Sequence, residues 1–191
     1  MRSIPWEAGQ WTVPPVHAAA GAEGLLVTCA EGGDLWRTTS YGFIHDDAHG
    51  LLVELPEATG MEVALEFSGD EQFDQAGILL RADERHWIKA GVEYADGHLN
   101  VGAVVTREVS DWSTWPVGWL GRRIGLRASR RGDAVTIRAR ADDGPWRLLR
   151  LAPIDPSLPW RAGPYACAPT RAGLTVRFVD WTIGAADDAL H

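Results

Sequence analysis

The sequence predicts an all-β domain built as a sandwich of two antiparallel sheets. Three observations carry that prediction. Turn signals recur at short intervals: Gly32-Gly33, Gly50, Gly60, Gly69-Asp70, Asp96-Gly97, Gly132-Asp133 and Asp143-Gly144. Between them lie short runs rich in Val, Ile, Leu and Trp, with little helical periodicity. That pattern belongs to sandwiches and barrels rather than to βαβ units. The third observation is alternation. Met61, Val63, Leu65 and Phe67 are apolar while Glu62 and Glu66 fall between them, which describes a strand with one dry and one wet face.

The first strands are expected at Leu25–Cys29, Leu35–Thr39, Leu51–Leu55 and Glu62–Phe67. Three more follow at Ala76–Ala82, Trp87–Tyr94 and Leu99–Thr106. The last five are Arg122–Ser129, Ala134–Ala139, Arg147–Leu151, Ala162–Ala168 and Leu174–Trp181. The central three yield a register. Asp96-Gly97 is a two-residue hairpin signal, and counting outward pairs Tyr94 with Leu99, Val92 with Val101, Ala90 with Ala103 and Ile88 with Val105. These pairs share one apolar face. The opposite face pairs Glu93 with Asn100, Gly91 with Gly102, Lys89 with Val104 and Trp87 with Thr106, so alternation and turn agree. On the preceding strand Ile78 and Leu80 belong to the dry face. Setting Arg81 against Trp87 rather than Lys89 avoids a like-charge pair and places Gln75 against Glu93. The outward face then carries Gln75, Arg81, Trp87, Lys89, Glu93, Asn100 and Thr106. Gly77, Gly91 and Gly102 are expected to clear a shallow floor among them.

With 191 residues, 46% of them hydrophobic, the chain can bury one sizeable core. A single domain is expected over residues 1–185, with residues 186–191 as a frayed tail. The formal net charge of -8 argues against nucleic acid and anionic membranes, which call for a basic patch. No apolar run approaches the roughly 20 residues that span a bilayer, and MRSIPWEAGQW does not read as a signal peptide. A cytoplasmic location follows as an expectation, with Cys29 and Cys167 reduced and buried. Ten Trp against four Phe exceed what core filling asks for, and Trp is a good stacking platform. Lys89 is the one lysine in the chain, which draws attention to its position.

The run FDQAGILLRADERHWIKAGVEYADGHLNVGAVVTREVSDWS, Phe73 to Ser113, resembles a domain-of-unknown-function family described as similar to the regulation-of-enolase protein. Outlying stretches support it: DLWRTTSYGF (Asp34–Phe43), GPYACAP (Gly163–Pro169) and LTVRFVDWTIG (Leu174–Gly184). The resemblance spans nearly the whole chain. It implies membership of the concanavalin A-like lectin and glucanase superfamily, hence a jelly-roll sandwich with a concave face. The motif residues it carries over are Asp74, Gln75, Gly77, Arg81, Trp87, Lys89, Glu93, Thr106, Ser110, Asp111, Trp112 and Ser113. Most of the polar ones fall on the face derived from hairpin register.

The candidate ligand-binding residues are therefore Gln75, Arg81, Trp87, Lys89, Glu93, Asn100, Thr106, Asp111 and Trp112. A planar array of hydrogen-bonding groups beside Trp87 suits a carbohydrate or sugar phosphate. One rival is a carbohydrate-active enzyme using Glu93 near Lys89. Another is a regulatory protein binding a metabolic enzyme through a Trp-rich rim (Trp112, Trp115, Trp119). Glucanases of the implied superfamily carry two Glu four apart with an Asp between. Here the middle position is Ala64, and Glu62 and Glu66 lie roughly 13 Å apart along a strand, against about 5–5.5 Å for a retaining pair. His45-Asp46-Asp47 with His49 has metal-ligand types, but loop polarity accounts for them. No zinc spacing, phosphate loop, dinucleotide fingerprint or nucleophile elbow appears, so no catalytic residue, metal or cofactor is expected.

Overall fold

The computed structural model describes residues 1–190. The N-terminal strands are β1 (Arg2–Ser3), β2 (Gln10–Trp11), β3 (His17–Gly21), β4 (Gly24–Thr28), β5 (Leu35–Arg37), β6 (Ile44–Asp46), β7 (His49–Glu54) and β8 (Thr59–Glu66). The central ones are β9 (Asp74–Arg81), β10 (His86–Ala95), β11 (His98–Arg107) and β12 (Val109–Pro116). The last five are β13 (Arg123–Arg131), β14 (Ala134–Ala141), β15 (Arg147–Pro153), β16 (Arg161–Cys167) and β17 (Thr175–Ala185). One sheet has the order β15-β14-β13-β8-β17-β4-β3, with β1 also on β17. The other has the order β12-β11-β10-β9-β16-β7-β2, and β5 and β6 form a separate hairpin. Neighbouring strands are antiparallel, and the architecture is a jelly-roll sandwich.

The central register is the one that the turn predicts. Asp96 and Gly97 have φ of 54° and 81°, as a type I′ turn requires, and the β10–β11 pairs run from Tyr94↔Leu99 to Trp87↔Thr106. Trp87 faces Arg81 and Glu93 faces Gln75. The inward residues Ile78, Leu80, Ile88, Val92, Val101 and Val105 meet Met61, Val63, Leu65, Ile124, Leu126, Phe178 and Trp181 of the other sheet in one core. Both cysteines are free and buried.

The structure departs from the expectations at several points. β3 is a run of His, Ala and Gly, exposed throughout, and lacks the β-branched signal that marks a strand. β12 extends the sheet at its edge over a stretch where no strand was expected; its Trp, Ser and Pro content hides it. Gly91 and Gly102 line a small hollow beside Gln75, Lys89 and Glu93, as expected, whereas Gly77 does not; all three also sit where adjacent backbones crowd. A Cβ on Gly77 would lie 2.1 Å from the Ala90 carbonyl oxygen, and one on Gly91 2.1 Å from that of Ala76. The glycines let adjacent backbones approach closely. The tail is not frayed at its start: the Asp187 N–H donates to Ser129 Oγ at 2.7 Å, and its carboxylate accepts from Arg127 Nε at 2.8 Å and from Arg138. Among the described residues no helix is long and apolar enough to cross a membrane.

Candidate functional site

The β5–β6 hairpin lies over the outer face of the seven-stranded sheet. The turn that joins β5 to β6 has Thr38, Ser40 and Gly42 at φ of 65°, 66° and 75°. Its ends are tied down. The Arg37 N–H donates to Ser110 Oγ at 2.9 Å, and Ser110 bonds Thr106 at 2.8 Å. Asp46 pairs with Arg81 through both oxygens, and the Asp34 N–H donates to Asp47 Oδ1 at 2.8 Å. Beneath the hairpin, Leu35 and Trp36 close over Leu79, Trp87, Val104, Tyr165 and Cys167 as a second buried cluster. Trp87 is completely buried, so it offers no face for stacking. Its Nε1 has no partner among the described residues.

Beside the hairpin the face opens into a cleft of about 240 Å³. Gln75, Lys89, Glu93, Asp34 and His45 supply its polar groups, and Trp36, Tyr41, Phe43, Phe73 and Trp112 its aromatic walls. Tyr41 and Phe43 stack with centroids 5.4 Å apart, while Trp36 and Trp112 stand at 90° to each other. Lys89 is buried and donates to Asp34 Oδ1 at 2.7 Å and to Gln75 Oε1 at 2.8 Å. Burial pushes the Asp34 carboxyl up, but the Lys89 ammonium and the Leu35 N–H outweigh it and hold the carboxyl below its ordinary range. Burial likewise pushes the Lys89 ammonium down, and Asp34, Cys167 and Glu93 together more than reverse it. These two groups form a closed ion pair.

Glu93 is the open position. As a residue it is half-buried, yet its Oε1 is enclosed and has no hydrogen-bond partner among the described residues. Burial is the main cause that raises its carboxyl from 4.5 to about 7, with Lys89 opposing and Asp34 and Asp96 adding to the rise. A carboxyl with this proton affinity can donate or accept a hydrogen bond near neutral pH.

Four of the expected residues thus meet at the cleft: Gln75, Lys89, Glu93 and Trp112. Arg81, Trp87 and Thr106 lie under or beside the hairpin and hold it. Asn100 is spent on the hairpin turn, donating to the carbonyls of Ala95 at 3.2 Å and His98 at 2.9 Å. Asp111 faces the other side of β12, where Arg150 donates to it at 2.6 Å. Trp112 and Trp115 are 40% and 42% exposed and project from opposite faces of β12, while Trp119 packs against the core. Glu62 and Glu66 belong to the other sheet, beside Arg127 and Arg177. His49 accepts from the Ala30 N–H at 3.0 Å and lies 3.1 Å from the Val13 carbonyl through Nδ1. Sequence reasoning missed Asp34, Trp36, Tyr41, Phe43 and Phe73. The first four lie in the Asp34–Phe43 stretch that carries the family resemblance, so the signal existed, but strand alternation does not locate a hairpin outside the sheet. Phe73 has φ of 66°, a conformation no pattern announces.

A larger groove of about 680 Å³ runs along Leu52–Pro56 and Pro159–Arg161. Its buried Arg130 donates to the carbonyls of Leu55 at 2.7 Å and Pro156 at 3.0 Å. That residue is a clamp between loops, and the groove lacks the aromatic enclosure of the smaller cleft.

Residues 11–186 match the family described as "Protein of unknown function (DUF1349)". Regulation of enolase protein 1 of Saccharomyces cerevisiae is 39% identical over 184 residues, covering 96% of this chain and 93% of that protein. A crystal structure of a functionally unknown protein from Saccharomyces cerevisiae superposes with a TM-score of 0.91 at 37% identity, covering 96% of this chain and all of that one. The carbohydrate binding module CBM66 from Bacillus subtilis shares the fold at 17% identity, with a TM-score of 0.55 over 92% of this chain and 95% of that one.

Proposed function

The chain belongs to the DUF1349 family, and from that premise we propose that it binds a small carbohydrate in the cleft beside the β5–β6 hairpin. The observation that carries this reading is the enclosed Glu93 Oε1 without a partner, set among aromatic walls. Sugars present apolar ring faces and a rim of hydroxyls, and aromatic side chains with a few converging polar groups match both. Lys89 has two of its three donors engaged, so the third is left for a ligand oxygen. The structural likeness to a carbohydrate binding module is a likeness of fold, and it agrees with the reading without carrying it. A phosphate group fits less well than a hydroxyl, because Lys89 is already neutralised and two carboxyls stand beside it.

Titration of the protein with mono- and oligosaccharides, followed by thermal shift, tests the reading. A sugar-dependent rise in Tm that is lost in Trp112→Ala is expected. No response across the panel would overturn it. A panel of chromogenic glycosides added to the same protein separates binding from catalysis: turnover abolished in Glu93→Gln would make the site an enzyme's.

A second reading rests on the relative named Regulation of enolase protein 1 and on the exposed rim of Tyr41, Phe43 and Ile44. In it the rim docks on enolase. Sedimentation of the two proteins together would show a complex lost in Tyr41→Ala with Phe43→Ala.

A further inference from the structure

The charge inventory of the cleft is unbalanced. The Lys89 ammonium is neutralised by Asp34 at 2.7 Å and spends a second proton on Gln75 at 2.8 Å. Glu93 stands beside that closed pair with an enclosed oxygen and no partner among the described residues. Once Glu93 is ionised, the cleft holds one carboxylate more than it holds ammonium groups, and the His45 imidazole, also on the lining, is already turned to the Asp47 carboxylate at 3.6 Å. Burying a charge without a counter-charge is costly, and Asp34 and Asp96 both add to that cost. The chemical group that removes the cost is a cation.

The walls point the same way. Aromatic rings attract cations to their faces, and the attraction grows as water is excluded. Trp36 and Trp112 stand at right angles at 6.4 Å, and Tyr41 meets Trp36 at 5.5 Å. Such a box offers ring surface in more than one direction to a group placed inside it. A phosphate or carboxylate ligand would instead add to the excess negative charge.

Resting on the carbohydrate reading above, we infer that the preferred ligand is an amino sugar, bound with its free ammonium group against the Glu93 carboxylate. The ring then lies along the aromatic walls, and its hydroxyls reach Gln75 and the remaining donor of Lys89. N-acetylation removes the positive charge, so the acetylated sugar loses the advantage.

Isothermal titration at neutral pH tests this with D-glucosamine, D-galactosamine and D-mannosamine, each beside its neutral parent hexose and its N-acetyl derivative. At least one amino sugar is expected to bind about tenfold more tightly than its parent, the gain of a charge-assisted hydrogen bond. In Glu93→Gln, with folding verified by its unfolding curve, the ratio of the two affinities falls toward one. Equal affinity for amino sugar and parent overturns this inference and leaves the carbohydrate reading standing. A preference that persists undiminished in Glu93→Gln removes Glu93 from the role. Binding of choline but of no sugar overturns the sugar class, and silence from every ligand overturns both readings.

Discussion

The outward faces of the two sheets are both polar, but their polar atoms stand in different states. On the eight-stranded sheet the central charges satisfy one another, and Arg140 lies over the Trp146 ring. Arg127 donates to Glu62 at 2.7 Å and to Asp187 at 2.8 Å, and Arg138 donates to Asp187 as well. On the seven-stranded sheet the closed pair of Lys89 and Asp34 lies beside a Glu93 oxygen that has no hydrogen-bond partner among the described residues. Since buried polar groups are nearly always hydrogen-bonded, an exception on an open cleft marks capacity kept for something else. A polar strand face is therefore a weak functional signal, and an incompletely satisfied one is stronger.

The largest expected effect tests whether the closed part of the cleft is structural. Lys89→Met leaves the Asp34 carboxylate and Gln75 Oε1 in place without the ammonium. Breaking a buried pair from one side costs about 3–5 kcal/mol, which urea unfolding would read directly. A loss below about 1 kcal/mol would mean that water reaches the pair and that the contrast between the faces is false.

Glu93 should behave in the opposite sense. Its folded carboxyl is raised from 4.5 to about 7, so the folded protein holds the proton more tightly than the unfolded chain. Its contribution is fully present below pH 4.5 and is lost as pH rises to about 7. Glu93→Gln, which cannot ionise, should gain about 3 kcal/mol on the wild type over that window. Denaturant midpoints of both proteins between those limits check this, and a constant difference would place the carboxylate in water. Asp34 has the reverse sign: its pKa is lowered, so its stabilisation is present at neutral pH and lost only in acid.

On the eight-stranded sheet, Asp187→Ala should cost about 1–2 kcal/mol, because two Arg side chains and the end of the chain lose a shared partner. Part of that loss should fade in high salt, since the Asp187 carboxylate is partly exposed and screening reaches it. A salt-independent loss would indicate packing rather than charge.

The fold was legible because turn and alternation agree. Asp96-Gly97 sets the register, and every apolar pair from Tyr94–Leu99 to Ile88–Val105 follows by counting. The site was legible only where it shares that register: Gln75, Lys89 and Glu93 are outward-facing strand positions. Asp34 was not, because it precedes a two-stranded hairpin that folds over the sheet without joining its ladder, and periodicity carries no information about such a docking. Trp87 shows the converse. Its position on the outward face is read correctly from the sequence, but its environment depends on Leu35 and Trp36 arriving from another part of the chain. Facing outward on a strand and facing solvent are different properties when a second layer can cover the sheet.

The smallest expected effect on stability belongs to Trp112, and there function and folding come apart most clearly. Trp112 sits on the edge strand β12, opposite Val104, with its indole 40% exposed and its plane perpendicular to Trp36. Removing a ring that keeps this much contact with water forfeits only part of its transfer energy, and β12 remains paired along its length with β11. Trp112→Ala should therefore lower stability by about 1 kcal/mol or less. A wall of the cleft disappears in the same step, so a sugar that stacks on it should lose at least about tenfold in affinity. The pairing of a nearly unchanged unfolding curve with a lost ligand response is what a surface maintained for binding produces. If instead Trp112→Ala lost several kcal/mol while the ligand response survived, the indole would be a strut that holds the hairpin down, as Trp87 is, and the open part of this face would be smaller than the structure suggests.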